Sequence, residues 1–203
     1  NSKFAVKAVV GAQNYTDVLS DRKLIAAFFN TLKYVAIVVP IQTFLAMLIA
    51  SVLNSNIKGK NTFRIIYFLP TLTSSAALTL IFMFMFNQEG LINMFLKVFG
   101  VQGKNWLDDV DFVLKVIMAM NIWSTVPFFM TIYLAGLQDV PATQYEAASI
   151  DGANAWQRFL YITVPNLRPI TAFVVIMGLI GCFQVFDQAY IVSKGTGGLE
   201  QQH

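Results

Sequence analysis

Charged residues divide this chain into apolar stretches long enough to cross a bilayer. Residues 34–56 carry no formal charge, and the next is at Lys58. Residues 65–88 lie between Arg64 and Glu89, residues 116–138 between Lys115 and Asp139, and residues 169–186 between Arg168 and Asp187. A crossing takes about 20 mostly apolar residues at about 1.5 Å rise each. A water-facing helix of this length carries a polar stripe, and these stretches have none. Backbone groups in hydrocarbon must be satisfied within the segment, so the expectation is four spanning helices at about 34–56, 65–88, 116–138 and 169–186. The expected fold class is an all-α membrane protein, a polytopic helical bundle.

Details within the stretches add local expectations. Pro40, Pro70 and Pro127 fall within or near the starts of three of them. Each removes a backbone donor and kinks a helix or leaves it irregular. Gly178 and Gly181 offer close helix–helix approach. Between the stretches lie a short basic turn at 57–64, a longer loop at 89–115 with Gly90, Gly100 and Gly103, and a 30-residue polar segment at 139–168.

That last segment has a helical pattern of its own. Thr143 and Glu146 have capping-box spacing, so a helix is expected over 144–150. Gly152 supplies the positive φ that ends it. A second short helix over 155–163 is expected to close before Pro165. Ala147 and Ala148 are small enough to let a backbone sit deep in a partner's groove. Glu146 and Asp151 offer charges to a partner's Arg or Lys. Trp156, Phe159 and Leu160 suit an anchoring face. An amphipathic helix lying on lipid is the alternative, which two acids and a run of alanines fit less well.

Composition supports the membrane reading. Of 203 residues only 12% are charged, against about 25% in an ordinary soluble chain. Hydrophobic residues reach 56%, with 18 Phe and 8 Met, and the mean hydropathy is +0.60. This excludes a disordered chain, a nucleic-acid-binding domain and a disulfide-rich module. The single Cys182 forms no internal disulfide, and the single His203 leaves no His-based metal cluster or triad. The net charge of +3 comes from scattered Lys and Arg, not from a polyanion site. Positive charge does not orient the chain. The loops at 57–64 and 139–168 hold Lys58, Lys60, Arg64, Arg158 and Arg168. The other pieces hold Lys3, Lys7, Arg22, Lys23, Lys33, Lys97, Lys104, Lys115 and Lys194, five against nine. No Gly-x-x-x-x-Gly-Lys-Ser/Thr cradle exists. Gly59-Lys60-Asn61-Thr62 and Gly103-Lys104-Asn105 are fragments of one, so no ATP hydrolysis is expected of this chain.

Here the residues reach a resemblance. Glu146-Ala147-Ala148, three residues, Gly152, nine residues, Ile162, one residue, Val164-Pro165 resembles the EAA signature. That signature marks the permease subunits of binding-protein-dependent ABC importers, and the one departure is Val164 for Leu. Ala135-Gly136-Leu137-Gln138-Asp139-Val140-Pro141, Ile150-Asp151-Gly152-Ala153 and Leu167-Arg168-Pro169 resemble the carbohydrate-uptake branch. So do Asn14-Tyr15, Asn30-Thr31, Phe63-Arg64 with Leu69-Pro70, and Gly90-Leu91-Ile92-Asn93. Gly195-Thr196-Gly197-Gly198 does likewise, with Leu199 for the usual Pro. Similarity is to the first of two paired sugar permeases, the partner type of maltose and glycerol-phosphate importers.

The resemblance implies a single type I ABC importer transmembrane domain over 1–203, a fragment whose first and last spans lie beyond Asn1 and His203. It implies a bacterial, multi-pass plasma-membrane protein in a lipid bilayer, with the EAA loop 139–168 in the cytoplasm. Residues 1–33, 89–115 and 187–203 would then face outside. The implied partners are a second permease, two ATPase subunits that bind the ATP and Mg²⁺, and an extracytoplasmic solute-binding protein, with no nucleic acid. The implied ATPase-coupling residues are Glu146, Ala147, Ala148, Asp151, Gly152, Ala153, Trp156, Phe159, Ile162 and Pro165.

For the solute path, polar and aromatic residues within the spans are the candidates: Asn121, Trp123, Tyr133, Phe183, Gln184 and Phe186. Helix–helix hydrogen bonding, worth about 0.6 kcal/mol on average, is the alternative use of such groups. The four spans contain no Lys or Arg to favour a phosphorylated solute. They contain no ionisable Asp, Glu, His, Lys or Arg of the kind a self-contained secondary transporter uses.

Overall fold

The computed structural model describes residues 20–55, 59–101, 103 and 105–195, and these are helical without strands. Helix α1 is Arg22–Asn54. Helix α2, Lys60–Phe68, runs into a 3₁₀ turn at Leu69–Leu72, and α3 is Ser75–Phe86. Then come α4, Leu91–Val98, a 3₁₀ turn at Trp106–Asp108, and α5, Val110–Gln138. Helices α6, Ala142–Ile150, and α7, Ala155–Arg158, follow; α7 passes into a π-helical stretch, Phe159–Thr163, and α8, Val164–Asn166. The chain ends in α9, Arg168–Phe183, and α10, Asp187–Gly195. Asn14-Tyr15 and Thr196 to Leu199 lie outside the described residues, as do Asn56, Ile57 and Lys58.

Among the described residues, four helical stretches are long and apolar enough to cross a membrane: Leu24–Asn54, Ser75–Val98, Phe112–Gln138 and Arg168–Val192. Their outer faces remain apolar, with Phe28, Phe29, Phe44, Phe84 and Ile176 all exposed, as hydrocarbon or a protein partner requires. The core forms where α1, α5 and α9 meet. On α1 the buried positions Tyr34, Val38, Gln42, Ala46, Ala50 and Leu53 recur every three or four residues, one helical face. Ala46 and Ala50 are fully buried, so the α1 backbone comes close to α5, its most extensive neighbour.

Two apolar clusters share this seam. One gathers Ala46, Met47 and Leu53 with Met130, Tyr133, Leu137, Phe159 and Leu167, toward the 139–168 segment. The other gathers Tyr34, Val38, Ile117, Cys182 and Val192 at the opposite end. Between them lies a polar contact. The Thr125 hydroxyl is 2.9 Å from Gln42 Oε1 and 2.8 Å from the Asn121 carbonyl, so one proton serves two acceptors. Gly178 of α9 lies directly over the Gln42 amide, where any Cβ would collide with Nε2. Gly178 therefore makes the close approach expected of it. Gly181 does not: a Cβ there meets nothing within 4 Å.

The stretch expected at 65–88 is not one continuous helix. Thr73 and Ser74 are extended, and Ser74 caps a new helix by accepting from the Ala77 N–H at 3.2 Å. Pro70 starts the break, because it cannot donate and its ring fixes φ. Pro40 and Pro127, by contrast, lie inside unbroken helices. The stretch expected at 169–186 ends earlier as a helix, at Phe183, with a turn before α10.

Beyond α3 a tight turn at 87–90 leads into α4. Gly90 sits against the Phe84 and Met85 carbonyls, leaving no room for a side chain. Asn93 is fully buried there, with Nδ2 donating to the Asn87 and Gln88 carbonyls at 3.0 Å each. Its Oδ1 accepts from Trp106 Nε1 at 2.7 Å. Asn93→Ala removes these three bonds, with the Asn87 carbonyl keeping the Gly90 N–H at 2.9 Å, and each lost bond costs about 0.5–1.5 kcal/mol. The expected result is a lower thermal midpoint in detergent. An unchanged midpoint would mean that water replaces the amide.

Candidate functional site

The 139–168 segment forms a helical elbow at one end of the bundle. Helix α6 begins at Ala142, with Pro141 at its N-cap and no side-chain cap. The capping box expected at Thr143 and Glu146 is therefore absent, because Pro141 already holds the starting φ and the helix starts before Thr143. A capping box does occur one helix later. Asn154 Oδ1 accepts from the Gln157 N–H at 2.9 Å, and Gln157 Oε1 accepts from the Asn154 N–H at 2.8 Å.

The end of α6 explains several residues of the motif at once. Gly152 has φ 79, in the left-handed region. The Ala153 N–H donates to the Ala148 carbonyl at 2.8 Å, and the Gly152 N–H to that of Ser149 at 3.2 Å. This is the Schellman pattern, in which a left-handed glycine reverses the chain and satisfies the last carbonyls. Ala148 and Ala153 occupy the two positions whose side chains meet across such a turn, and both are half-buried. Glu146, Ala147, Asp151 and Gly152 stay exposed, and Ile150 is 87% exposed at the tip.

The second arm is attached to the bundle. Phe159 is buried, edge-on to Phe44 of α1 with centroids 6.5 Å apart, and it stacks on the exposed Trp156 at 5.3 Å. Ile162 and Pro165 are half-buried. The expected closure before Pro165 does not occur; helical structure runs on to Asn166. In an α-helix the Pro165 ring would strike the Tyr161 carbonyl. The π-helical stretch widens the turn just there, with the Val164 N–H donating to the Phe159 carbonyl. The ten residues the resemblance implies for coupling thus divide between an exposed tip and a buried root.

A recess of ≈ 330 Å³ separates the elbow from the end of α1, lined by Ser51, Asn54, Tyr145, Arg158, Phe159 and Thr163 among others. A wider one of ≈ 670 Å³ adjoins Glu146, Ser149 and Ile150. Apolar patterning missed the polar residues lining these recesses, because Tyr145 and Thr163 lie in different helices, 18 residues apart in sequence.

The six candidate path residues engage different neighbours. Tyr133 is fully buried and its hydroxyl donates to Thr171 Oγ1 at 3.1 Å, joining α5 to α9. Asn121 is buried at the level of the Gln42–Thr125 contact. Trp123 is on another face, tilted against Phe82 at 5.7 Å. Phe183, Gln184 and Phe186 are exposed at the far end of α9, and Phe186 stacks on Tyr190. Gln42 belongs with Asn121 and was not among the six. A search for charge-free stretches passes over it; a lone amide on the buried α1 face was the signal.

The profile of the family described as "Binding-protein-dependent transport system inner membrane component" matches residues 42–201. A lactose transport system permease protein of Rhizobium radiobacter is 34% identical over 191 residues, covering 93% of this chain and 64% of its own length. A trehalose/maltose transport system permease protein of Thermococcus litoralis is 35% identical over 193 residues, covering 95% of this chain and 65% of its own length. An arabinooligosaccharides transport system permease protein of Bacillus subtilis is 34% identical over 200 residues, covering 94% of this chain and 63% of its own length. The chain thus spans a little under two thirds of these relatives. In shape it is similar to a chain of a bacterial ABC transporter involved in importing the acidic polysaccharide alginate. The TM-score is 0.79 at 24% identity, covering 89% of this chain and 64% of that one. At that identity the likeness is one of fold.

Proposed function

The chain belongs to the family of binding-protein-dependent transport system inner membrane components, and from that premise we infer that it is the permease subunit of an ATP-driven sugar or oligosaccharide importer. The sugar permeases among its relatives support this reading. Its all-helical bundle is that of the ABC importer permeases it resembles in shape. Paired with a second permease, it would form the translocation path. A solute-binding protein would deliver the sugar; a related alginate transporter is described in complex with an alginate-bound periplasmic protein.

The observation that carries the coupling part is the elbow. Glu146, Ala147, Ile150 and Asp151 protrude on a short helix whose two ends are held by the bundle and by the Gly152 turn. Such a tip fits a groove on an ATPase subunit, with Glu146 and Asp151 meeting basic groups there. ATP and Mg²⁺ would bind in that subunit. Closure of the paired ATPases would displace the tip, and the helices behind it would follow as rigid bodies.

The test is purification of the full-length protein from native membranes in mild detergent, with mass spectrometry of what co-purifies. Recovery of a second permease and an ATPase is the expected result. Recovery of this chain alone, still able to transport, would overturn the reading in favour of a self-contained transporter.

A further inference from the structure

Beyond its Gly152 turn, helix α6 is bound to the second arm by three side-chain hydrogen bonds. Gln144 Oε1 accepts from Asn166 Nδ2 at 2.9 Å, and Ser149 Oγ accepts from Arg158 Nη1 at 2.7 Å. Tyr145 and Thr163 share a hydroxyl–hydroxyl bond at 2.9 Å. The three differ in shelter. Gln144, Asn166 and Ser149 are exposed, so water competes for their atoms. Thr163 is 3% exposed and Tyr145 half-buried at the wall of the recess, so that pair is the most sheltered of the three.

Thr163 is also where the elbow joins the bundle. Its carbonyl accepts from the Leu167 N–H at 3.1 Å, and the Leu167 carbonyl accepts from the Thr171 N–H at 2.8 Å. Thr171 Oγ1 in turn accepts from the Tyr133 hydroxyl. Hydrogen bonds therefore run from α6 through the root of α9 to the last turns of α5. Without the Tyr145–Thr163 bond, α6 keeps its two ends but loses its sheltered link to this line. It would then pivot between Pro141 and Gly152.

We propose that Tyr145 and Thr163 are positioning residues whose shared hydrogen bond makes α6 and α9 move as one piece when the ATPases act. This rests on the reading of the elbow as the ATPase contact. Deleting the hydroxyl while keeping the shape separates this role from simple packing: Tyr145→Phe, Thr163→Val and their combination, with Thr163→Ser as the restoring variant.

The experiment uses the full chain in its complex, with Cys182 replaced by Ala and spin labels on introduced cysteines. The labels are at Ile150 of α6 and Ile176 of α9, both exposed. Pulsed electron resonance measures their separation with and without ATP trapped by orthovanadate, and retained nucleotide shows that the ATPases have closed. In the unaltered sequence the 150–176 distance is expected to stay fixed on trapping. In either hydroxyl-deleted variant the 150–176 distance is expected to shift or broaden on trapping, with ATP hydrolysis within about two-fold of the unaltered rate. The combined variant should be no worse than either alone, and Thr163→Ser should restore the fixed distance. A 150–176 distance that stays fixed in both variants would overturn the proposal, as would Thr163→Ser behaving like Thr163→Val. Failure of the ATPases to co-purify with the unaltered chain is a separate failure, of the docking reading, and removes this inference with it.

Discussion

Proline at position 152 is expected to abolish ATP-driven uptake while the chain still reaches the membrane. Proline fixes φ near about −65°, whereas Gly152 sits at +79. It also removes the N–H that donates to the Ser149 carbonyl. The cost, more than about 1 kcal/mol, falls on a turn outside the spanning helices. The Schellman turn would open, and the tip carrying Glu146 and Asp151 would lose its direction relative to the second arm. Asparagine tolerates the left-handed region better than other side-chain-bearing residues, and a Cβ at 152 meets nothing within 4 Å. Gly152→Asn should therefore keep most of the uptake. Glu146→Lys reverses the charge at an exposed position and should abolish uptake by a different route, with the turn intact. Uptake by whole cells, normalised to the amount of chain in the membrane fraction, reads all three variants. Normal uptake in Gly152→Pro or in Glu146→Lys would remove the elbow from the coupling mechanism.

Leucine at position 178 is expected to prevent the bundle from closing. Any Cβ there collides with the Gln42 amide. Gln42 is fully buried and tied to Thr125, so the amide has no room to swing aside without losing that bond. Overpacking a tight core costs about 1–3 kcal/mol, and an orphaned buried amide adds about 1–3 more. Alanine should give a partial loss and leucine a severe one, seen as a falling yield of monodisperse protein in detergent. Gly181→Leu is the control. It is one helical turn away in the same segment, but open space surrounds it, so its yield should match the unaltered chain. Equal loss at 178 and 181 would show that general helix effects, not this contact, are being measured.

Gly178 and Gly181 illustrate how far the chain is readable without coordinates. Both satisfy the same rule, that small residues permit close helix approach. Only one has a helix against it. Which face of α9 meets α1 depends on how three helices pack together, and the segment's own residues do not specify it. Prolines show the same division. Pro40 and Pro127 stay inside helices, while Pro70 starts a break at Thr73 and Ser74, although each was an equal candidate for irregularity. Within the elbow, the glycine turn was legible because one residue's φ determines it. The start of α6 was not, because Pro141 and Thr143 both signal a helix start and the proline prevailed.

The sequence by itself determined that this is an all-helical membrane protein, because crossing hydrocarbon demands long charge-free stretches and helices satisfy their own backbone. It also carries the motif at 146–165, the resemblance from which the family was expected. Only the tertiary structure decided what the motif's members do. Ala148 and Ala153 close a turn, Phe159 roots the elbow beside Phe44, and Glu146, Ala147 and Asp151 stay exposed. It alone joined Tyr145 to Thr163 and Gln42 to Thr125, the latter 83 residues apart. Such pairs carry no periodic signal, because a hydrogen bond between two helices depends on their relative rotation, and packing sets that rotation.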